Sequence, residues 1–230
     1  MLKKNQKLFV ISIGGSLIFP NKIDINFLKK FKKLILSEIK NGNRFILITG
    51  GGKLCRNFQT ALKNIGKTTL TDLDTIGIAS TWLNAELLKL SFGKYAHSQI
   101  AQNPETKILF KEKILVGGGW KPGRSSDGAM VKYAETYKAE HIINLSNIDF
   151  VCDKDPNKFP NAKKLTNISW DELLKLTGSK WKPGANLPFD PTASKLAKKY
   201  KLKLIIANGK NLKNLKNIFS EKKFEGTTII

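Results

Sequence analysis

Three apolar runs in this 230-residue chain end in glycine: Leu8-Phe-Val-Ile-Ser-Ile-Gly-Gly-Ser16, Ile46-Leu-Ile-Thr-Gly-Gly-Gly52 and Ile114-Leu-Val-Gly-Gly-Gly119. Glycine at such a turn lets the backbone bend sharply and come close to a ligand with no Cβ in the way. Exposed N–H groups in these turns cradle phosphate. One Gly-Gly pair alone reads as a plain tight turn, but the repetition points to phosphate. Arginine is scarce and its placement adds to this. Of Arg44, Arg56 and Arg124, the second follows Gly52 by four residues and the third lies within Lys121-Pro-Gly-Arg-Ser-Ser126. A planar guanidinium grips phosphate oxygens two at a time. The carboxylates at turns, Asp74, Asp127, Asp149, Asp155 and Asp190, are candidates to orient a metal ion and the cationic groups. Three phosphate cradles without a P-loop or dinucleotide fingerprint suggest phosphoryl transfer between two bound molecules, one turn for donor phosphates and another for the acceptor phosphate. Backbone N–H groups, Arg, Lys and Mg²⁺ suffice for that chemistry. Gly66-Lys67-Thr68 copies the end of a P-loop, but Ala61 stands where its first glycine belongs.

The elements that must position these residues alternate between strand and helix. Strands are expected at Leu8–Ile13, Phe45–Thr49, Tyr95–Ile100, Ile114–Val116, His141–Leu145, Leu202–Ala207 and Gly226–Ile230. Helices are expected from Asp24 to about Asn41, Leu54 to Ile65, Asp72 to Leu90, Ser126 or Asp127 (as cap) to Lys138, Asp171 to Thr177, Asp190 onward, and Leu212 to Phe219. Phe150–Lys154 and Lys163–Leu165 read as a β excursion, and Gly178–Leu187 as a mobile loop with an exposed Trp181. Alternation of this kind predicts an α/β fold, a mainly parallel sheet covered on both faces, with ligands at the carboxyl ends of its strands. No linker, repeat or low-complexity tract interrupts residues 1–230, so one domain with two halves meeting at a cleft is expected.

No apolar run approaches the roughly 20 residues of a membrane span, and the basic start lacks a cleavage pattern, so no signal peptide is read. Cys55 and Cys152 fit no metal or redox spacing, and with His97 and His141 isolated no protein-built transition-metal site is proposed. A cytoplasmic chain with free thiols follows. The net charge of +22 comes from 37 Lys against 3 Arg, spread along the chain with abundant Asn and Ile. That mixture reads as solvated Lys faces and general attraction for anions, not as a specific nucleic-acid stripe.

The motifs Gly14-Gly15-Ser16, Gly50-Gly51-Gly52-Lys53-Leu54-Cys55-Arg56, Asp74-Thr-Ile-Gly-Ile78, Leu83-Asn84-Ala85 and Pro122-Gly123-Arg124-Ser125-Ser126-Asp127 are similar to those of the uridylate kinase branch of the amino acid kinase family, its archaeal-type enzymes above all. So are Ser146-Asn147-Ile148-Asp149, Asp153-Lys154-Asp155-Pro156, Phe189-Asp190-Pro191 and Gly226-Thr227-Thr228-Ile229. The resemblance spans residues 8 to 230. It implies a three-layer sandwich with an eight-stranded, mainly parallel sheet, a homohexamer built as a trimer of dimers, and transfer of the γ-phosphoryl of ATP to UMP, with Mg²⁺ held through the phosphates. The N-terminal half would hold mainly the acceptor and the C-terminal half mainly ATP. Gly14, Gly15, Ser16, Gly52 and Arg56 match donor-phosphate positions, and Ser146, Asp149, Cys152 and Asp155 match positions around the ATP base and ribose. Gly51 matches an acceptor contact, Asp74 the carboxylate that takes the UMP ribose, and Trp120, Lys121, Pro122, Gly123, Arg124, Ser125 and Ser126 the acceptor loop. Asp127 and Asp190 match the two carboxylates linked to catalysis, with Arg56 and Lys53 as cationic partners. The chain departs from the pattern at Ser12, where many members carry Lys next to the moving phosphoryl. Lys53, Lys121 or a Lys of Lys180–Lys182 could supply that charge. Cys152 replaces a common aromatic and Trp82 a common Arg. A kinase of the same fold acting on a carboxylate, carbamate or isoprenoid phosphate, a silent nucleotide-binding protein, and a nucleic-acid binder are the alternatives.

Overall fold

Runs of Ile, Leu, Val and Phe form strands buried on both faces, as parallel central strands must be. In the computed structural model, which describes residues 6–178 and 187–230, these are β1 (Leu8–Ile13), β2 (Arg44–Thr49), β3 (Ile114–Gly117) and β4 (His141–Ser146). β5 (Val151–Cys152) and β6 (Lys164–Leu165) pair antiparallel as a small ribbon, the expected excursion. β7 (Asn167–Ile168), β8 (Leu204–Asn208) and β9 (Thr227–Ile229) complete the main sheet. Its order is β3-β2-β1-β4-β8-β9-β7, parallel throughout except for β8 against β9.

That sheet has seven strands among the described residues, not the expected eight. The strand expected over Tyr95–Ile100 is reduced to a 3₁₀ turn at Gly93–Tyr95 and two isolated parallel bridges, Ala96 to Ile114 and Ala101 to Gly117. The intervening His-Ser-Gln run offers little apolar surface to hold a full ladder. The sequence reading also missed β7, only two residues long.

Helices cover both faces. α1 (Gly15–Ile18) and α2 (Ile25–Lys40) follow β1; α3 (Gly52–Ile65) and α4 (Leu70–Phe92) follow β2. α5 (Ser126–Tyr137) follows β3; α6 (Trp170–Thr177) and α7 (Pro191–Lys199) precede β8, and α8 (Leu212–Phe219) follows it. The odd residues of β1, Phe9, Ile11 and Ile13, pack with α2, α4 and α8, whereas Val10 packs with Ile46, Ile48, Ile142 and Ile206 under α5 and α7. Asp24 caps α2 by accepting the Phe27 N–H at 2.9 Å, and Phe27, Phe31, Ile35 and Ile39 form its buried stripe. Thr69 and Asp72 form a reciprocal capping box on α4. Asp190 caps α7 as expected, with Pro191 at the first helical position.

Candidate active site

The first two glycine turns meet backbone to backbone. The Gly14 N–H donates to the Leu145 carbonyl at 2.8 Å, and the Gly50 N–H to the Ile13 carbonyl at 3.0 Å, so each turn is tied to the neighbouring strand end. A Cβ on Gly15 would lie 2.0 Å from the Gly52 nitrogen, and one on Gly52, at φ +63°, would lie 2.2 Å from the Gly15 oxygen. No side chain other than hydrogen fits at either place. The contact leaves the N–H groups of Gly15, Ser16, Gly51 and Gly52 without an acceptor among the described residues, at the starts of α1 and α3, where helix ends favour anions. Asn84 on α4 braces the second turn, its amide donating to the Gly50 carbonyl at 2.8 Å.

The third turn is different, and the reading of it as a third open cradle is corrected. The Gly119 N–H donates to Thr81 Oγ1 at 2.7 Å, and Trp82 Nε1 donates to the Gly119 carbonyl at 2.8 Å. A Cβ on Gly118 would meet Thr81 Oγ1 at 2.6 Å. These glycines let the chain press against α4. The spacing gave no sign of this, because Thr81 and Trp82 lie more than thirty residues upstream.

The Trp120–Ser126 loop, expected to hold the acceptor, runs on from this anchor. The Lys121 ammonium sits 3.9 Å from the centre of the Trp120 ring. Lys121, Pro122, Gly123 and Arg124 are exposed. Asp74 on α4 accepts the Gly123 N–H at 2.7 Å and so holds the loop tip. Arg56 and Asp74 flank Cys55: burial raises the Cys55 pKa, Arg56 pulls it down and Asp74 pushes it up. A half-buried thiol whose pKa is raised in this way is a poor nucleophile. Lys53 and Arg56 are both exposed on the first turns of α3.

Ser125, not Ser126 or Asp127, caps α5, its hydroxyl accepting the Gly128 N–H at 3.2 Å. Asp127 lies inside the first turn and is freed for another contact. Its Oδ2 accepts the Asp190 backbone N–H at 3.1 Å. Asp190 Oδ1 accepts the N–H groups of Thr192 and Ala193 at 2.6 and 3.3 Å, while Oδ2 accepts the Ser125 hydroxyl. Two carboxylates 63 positions apart in sequence thus stand together at the mouths of α5 and α7. Burial pushes the Asp127 pKa up to about 7; the Asp190 N–H opposes this and the Asp190 charge adds to it. A cleft of about 390 Å³ opens beside them, lined by Trp120, Lys121, Arg124, Lys132 and Asp190 among others. A larger one of about 990 Å³ lies at the opposite, amino end of β4 and β8, away from every glycine turn.

On the other half of the edge, the Ser146 hydroxyl accepts the Ile148 N–H at 3.2 Å, and Asp149 accepts from the Asn208 amide at 3.0 Å. Cys152 is half-buried on β5. Asp155 shapes its own turn by accepting the Asn157 N–H at 3.0 Å. Trp181 and Lys180–Lys182 lie outside the described residues.

A sequence model of the amino acid kinase family matches residues 7–208. The chain belongs to the amino acid kinase family. Within that family it is 34% identical to a uridylate kinase of Thermoplasma volcanium over 96% of each chain, and 35% identical to a uridylate kinase of Methanococcus maripaludis over 87% of this chain and 90% of that one. The crystal structure of uridylate kinase from Archaeoglobus fulgidus superposes with a TM-score of 0.83 at 29% identity, covering 96% of this chain and 99% of that one. A UMP kinase from Bacillus anthracis superposes at 0.74 with 18% identity, a likeness of fold. An amino acid kinase fold thus accounts for the parallel sheet, and its carboxyl edge gathers two of the three glycine turns with free N–H groups, the carboxylate pair and the Trp120–Ser126 loop.

Proposed function

We propose that this chain is an ATP-dependent uridylate kinase that transfers the γ-phosphoryl of ATP to UMP, giving UDP and ADP. The observation that carries the reading is the backbone contact between the β1 and β2 turns, which leaves four unpaired N–H groups on the same carboxyl edge of the sheet as the Asp127–Asp190 pair. Its archaeal relatives bear the uridylate kinase name over nearly their whole length. An oxygen of the UMP phosphate attacks the γ-phosphorus in line, the bond to the β,γ-bridging oxygen breaks, and ADP leaves with the electron pair. Gly14, Gly15, Ser16, Gly52, Arg56 and Lys53 hold donor phosphates. Gly51, Asp74 and the Trp120–Ser126 loop hold UMP, while Ser146, Asp149, Cys152 and Asp155 border the ATP base and ribose. The N-terminal half of a single 1–230 domain then serves mainly the acceptor and the C-terminal half mainly ATP.

No three His, Cys, Asp or Glu side chains among the described residues stand close enough to form a protein-built metal site. Asp127 and Asp190 offer two adjacent carboxylates. This fits Mg²⁺ carried mainly by phosphate oxygens, which asks only one or two carboxylates of a protein. Bound there, it would neutralise charge on the transferring group.

The homo-oligomer, a hexamer as a trimer of dimers, is proposed on α3 as well as on the family. None of its 14 residues is buried, although Leu54, Phe58, Leu62 and Ile65 form one apolar stripe. Phe58 is 49% and Ile65 82% exposed. A second copy would cover that stripe. Cys55 and Cys152 are free thiols, in keeping with a cytoplasmic setting, and no helix among the described residues is long and apolar enough to cross a membrane.

A coupled ADP-release assay with the four nucleoside monophosphates and non-nucleotide acceptors tests the reading. UMP should give the highest kcat/KM. Preference for a carboxylate, carbamate or isoprenoid phosphate overturns the acceptor assignment.

A further inference from the structure

A serine hydroxyl has one hydrogen to give, so a single donation fixes what it can no longer donate to. Ser125 Oγ donates to Asp190 Oδ2 and accepts the Gly128 N–H at 3.2 Å. Its hydrogen is therefore committed inside the protein. Ser126, the next residue, makes no side-chain hydrogen bond among the described residues. Two adjacent serines that look alike in the sequence are thus committed differently.

The Ser125 contact reaches a carboxylate that is otherwise held by one oxygen only. Asp190 is 6% exposed. Its Oδ1 accepts the N–H groups of Thr192 and Ala193, both on its own helix α7. Oδ2 is held from outside that helix, by Ser125 at the start of α5. The Asp190 N–H returns the tie by donating to Asp127 Oδ2 at 3.1 Å. The mouths of α5 and α7 are therefore pinned to each other at two points. Asp190 lines the cleft of about 390 Å³, and Ser125 does not. Two residues before Ser125, the Gly123 N–H is held by Asp74 of α4 at 2.7 Å. A short piece of loop thus joins a helix of the N-terminal half to a buried carboxylate of the C-terminal half.

We infer that Ser125 is a positioning residue: its hydroxyl fixes the Asp190 carboxylate for phosphoryl transfer and is not a contact of the acceptor. A buried carboxylate oxygen needs a donor, and a hydroxyl bound to a carboxylate is a strong and directional one. Displacing a reacting geometry by about 1 Å costs as much as about 10²-fold in rate. Holding Oδ2 therefore bears on turnover and not on acceptor affinity. The inference rests on the reading of the chain as a phosphoryl-transfer enzyme, and it narrows which side chains of the Trp120–Ser126 loop touch UMP.

The test uses the full chain with Ser125→Thr, Ser125→Gly and Ser125→Asp, compared at about pH 8.5, where a carboxylic acid is ionised. Thr keeps both the cap of α5 and the donor. Gly caps nearly as well as Ser but has nothing to donate, and Asp caps as well as Ser but sets a second carboxylate against Asp190. Tm should follow the order Thr, Gly, Asp, with Thr close to wild type. Kinetics run well below the lowest Tm should show kcat about 10- to 10²-fold lower in Ser125→Gly, and at least as low in Ser125→Asp. KM for UMP should stay within about threefold of wild type, and Ser125→Thr should keep most of the rate. A Ser125→Asp chain that matches wild type in Tm and kcat shows a helix cap and nothing more, and overturns the inference. A raised KM for UMP with unchanged kcat makes Ser125 an acceptor contact and overturns it equally. A wild-type chain that prefers another acceptor overturns the UMP assignment instead. The same variants assayed with that acceptor, and the Tm order that needs no substrate, then still decide for or against Ser125.

Discussion

Asp127→Asn separates the cost of burying a charge from the use made of it. Burial lifts Asp127 from the ordinary 3.8 to about 7, against the Asp190 N–H and with help from the Asp190 charge. A carboxyl with a folded pKa above its unfolded value holds its proton better in the native state. Its contribution to stability is therefore fully present below about pH 4 and is lost as pH rises through about 7. At 1.36 kcal/mol per pH unit the displacement sets a ceiling of about 4 kcal/mol. Solvent reaches part of the residue, and screening brings the cost nearer about 1–2 kcal/mol. Asn keeps an oxygen to accept the Asp190 N–H and never ionises. One kcal/mol moves Tm by about 2–4 °C in a chain of this size, so the variant should melt about 3–6 °C above wild type at about pH 8.5 and by about a third of that at about pH 5. In the same preparation kcat should fall at least about 10²-fold, a barrier increase of about 2.7 kcal/mol. Thermal melts across pH and steady-state kinetics read both effects. A Tm difference that does not change with pH refutes the raised ionisation, and near-wild-type kcat refutes the catalytic role.

Gly15→Ala places a methyl group 2.0 Å from the Gly52 nitrogen. It should force the two turns apart, lowering Tm by several degrees and abolishing ATP binding, and wild-type affinity by titration would show the turns are not jointly needed. Arg56→Lys changes an exposed residue with no hydrogen-bond or ion-pair partner among the described residues, so Tm should hold while kcat/KM falls about tenfold or more through loss of the two-pronged grip. Unchanged turnover would retire Arg56 from the phosphate site.

Much of this edge was legible because backbone chemistry announces itself locally. A strand that must turn against another backbone needs glycine, and Gly14–Gly15 and Gly50–Gly52 say so without any partner in view. Asp190 with Pro191 declares a helix start in the same local way. What the sequence concealed is contact between distant segments. Ser125, Ser126 and Asp127 are all good caps, and only the placement of Asp190 shows that Asp127 is the one released to accept its N–H. Gly117–Gly119 have the same spelling as a phosphate cradle but serve packing against Thr81 and Trp82.

One helix sets the distance between the second glycine turn and the Trp120–Ser126 loop. Asp74, Thr81 and Asn84 lie along neighbouring faces of α4, and they hold the tip of the Trp120–Ser126 loop, its anchor at Gly119, and the second glycine turn, respectively. At 1.5 Å per residue, Asp74 and Asn84 stand about 15 Å apart along the axis. Thr49, at the end of β2, fastens the helix to the sheet by donating to the Thr81 carbonyl at 2.8 Å. The second turn and the loop are therefore positioned by a rigid element and not by each other. Trp82 fits this division of labour. Where an Arg is common in the family, an indole N–H is spent on the Gly119 carbonyl, so this position offers structure and no charge. In the proposed reaction, neutralising the phosphates falls to Arg56 and to the lysines, the residue type this chain carries in excess.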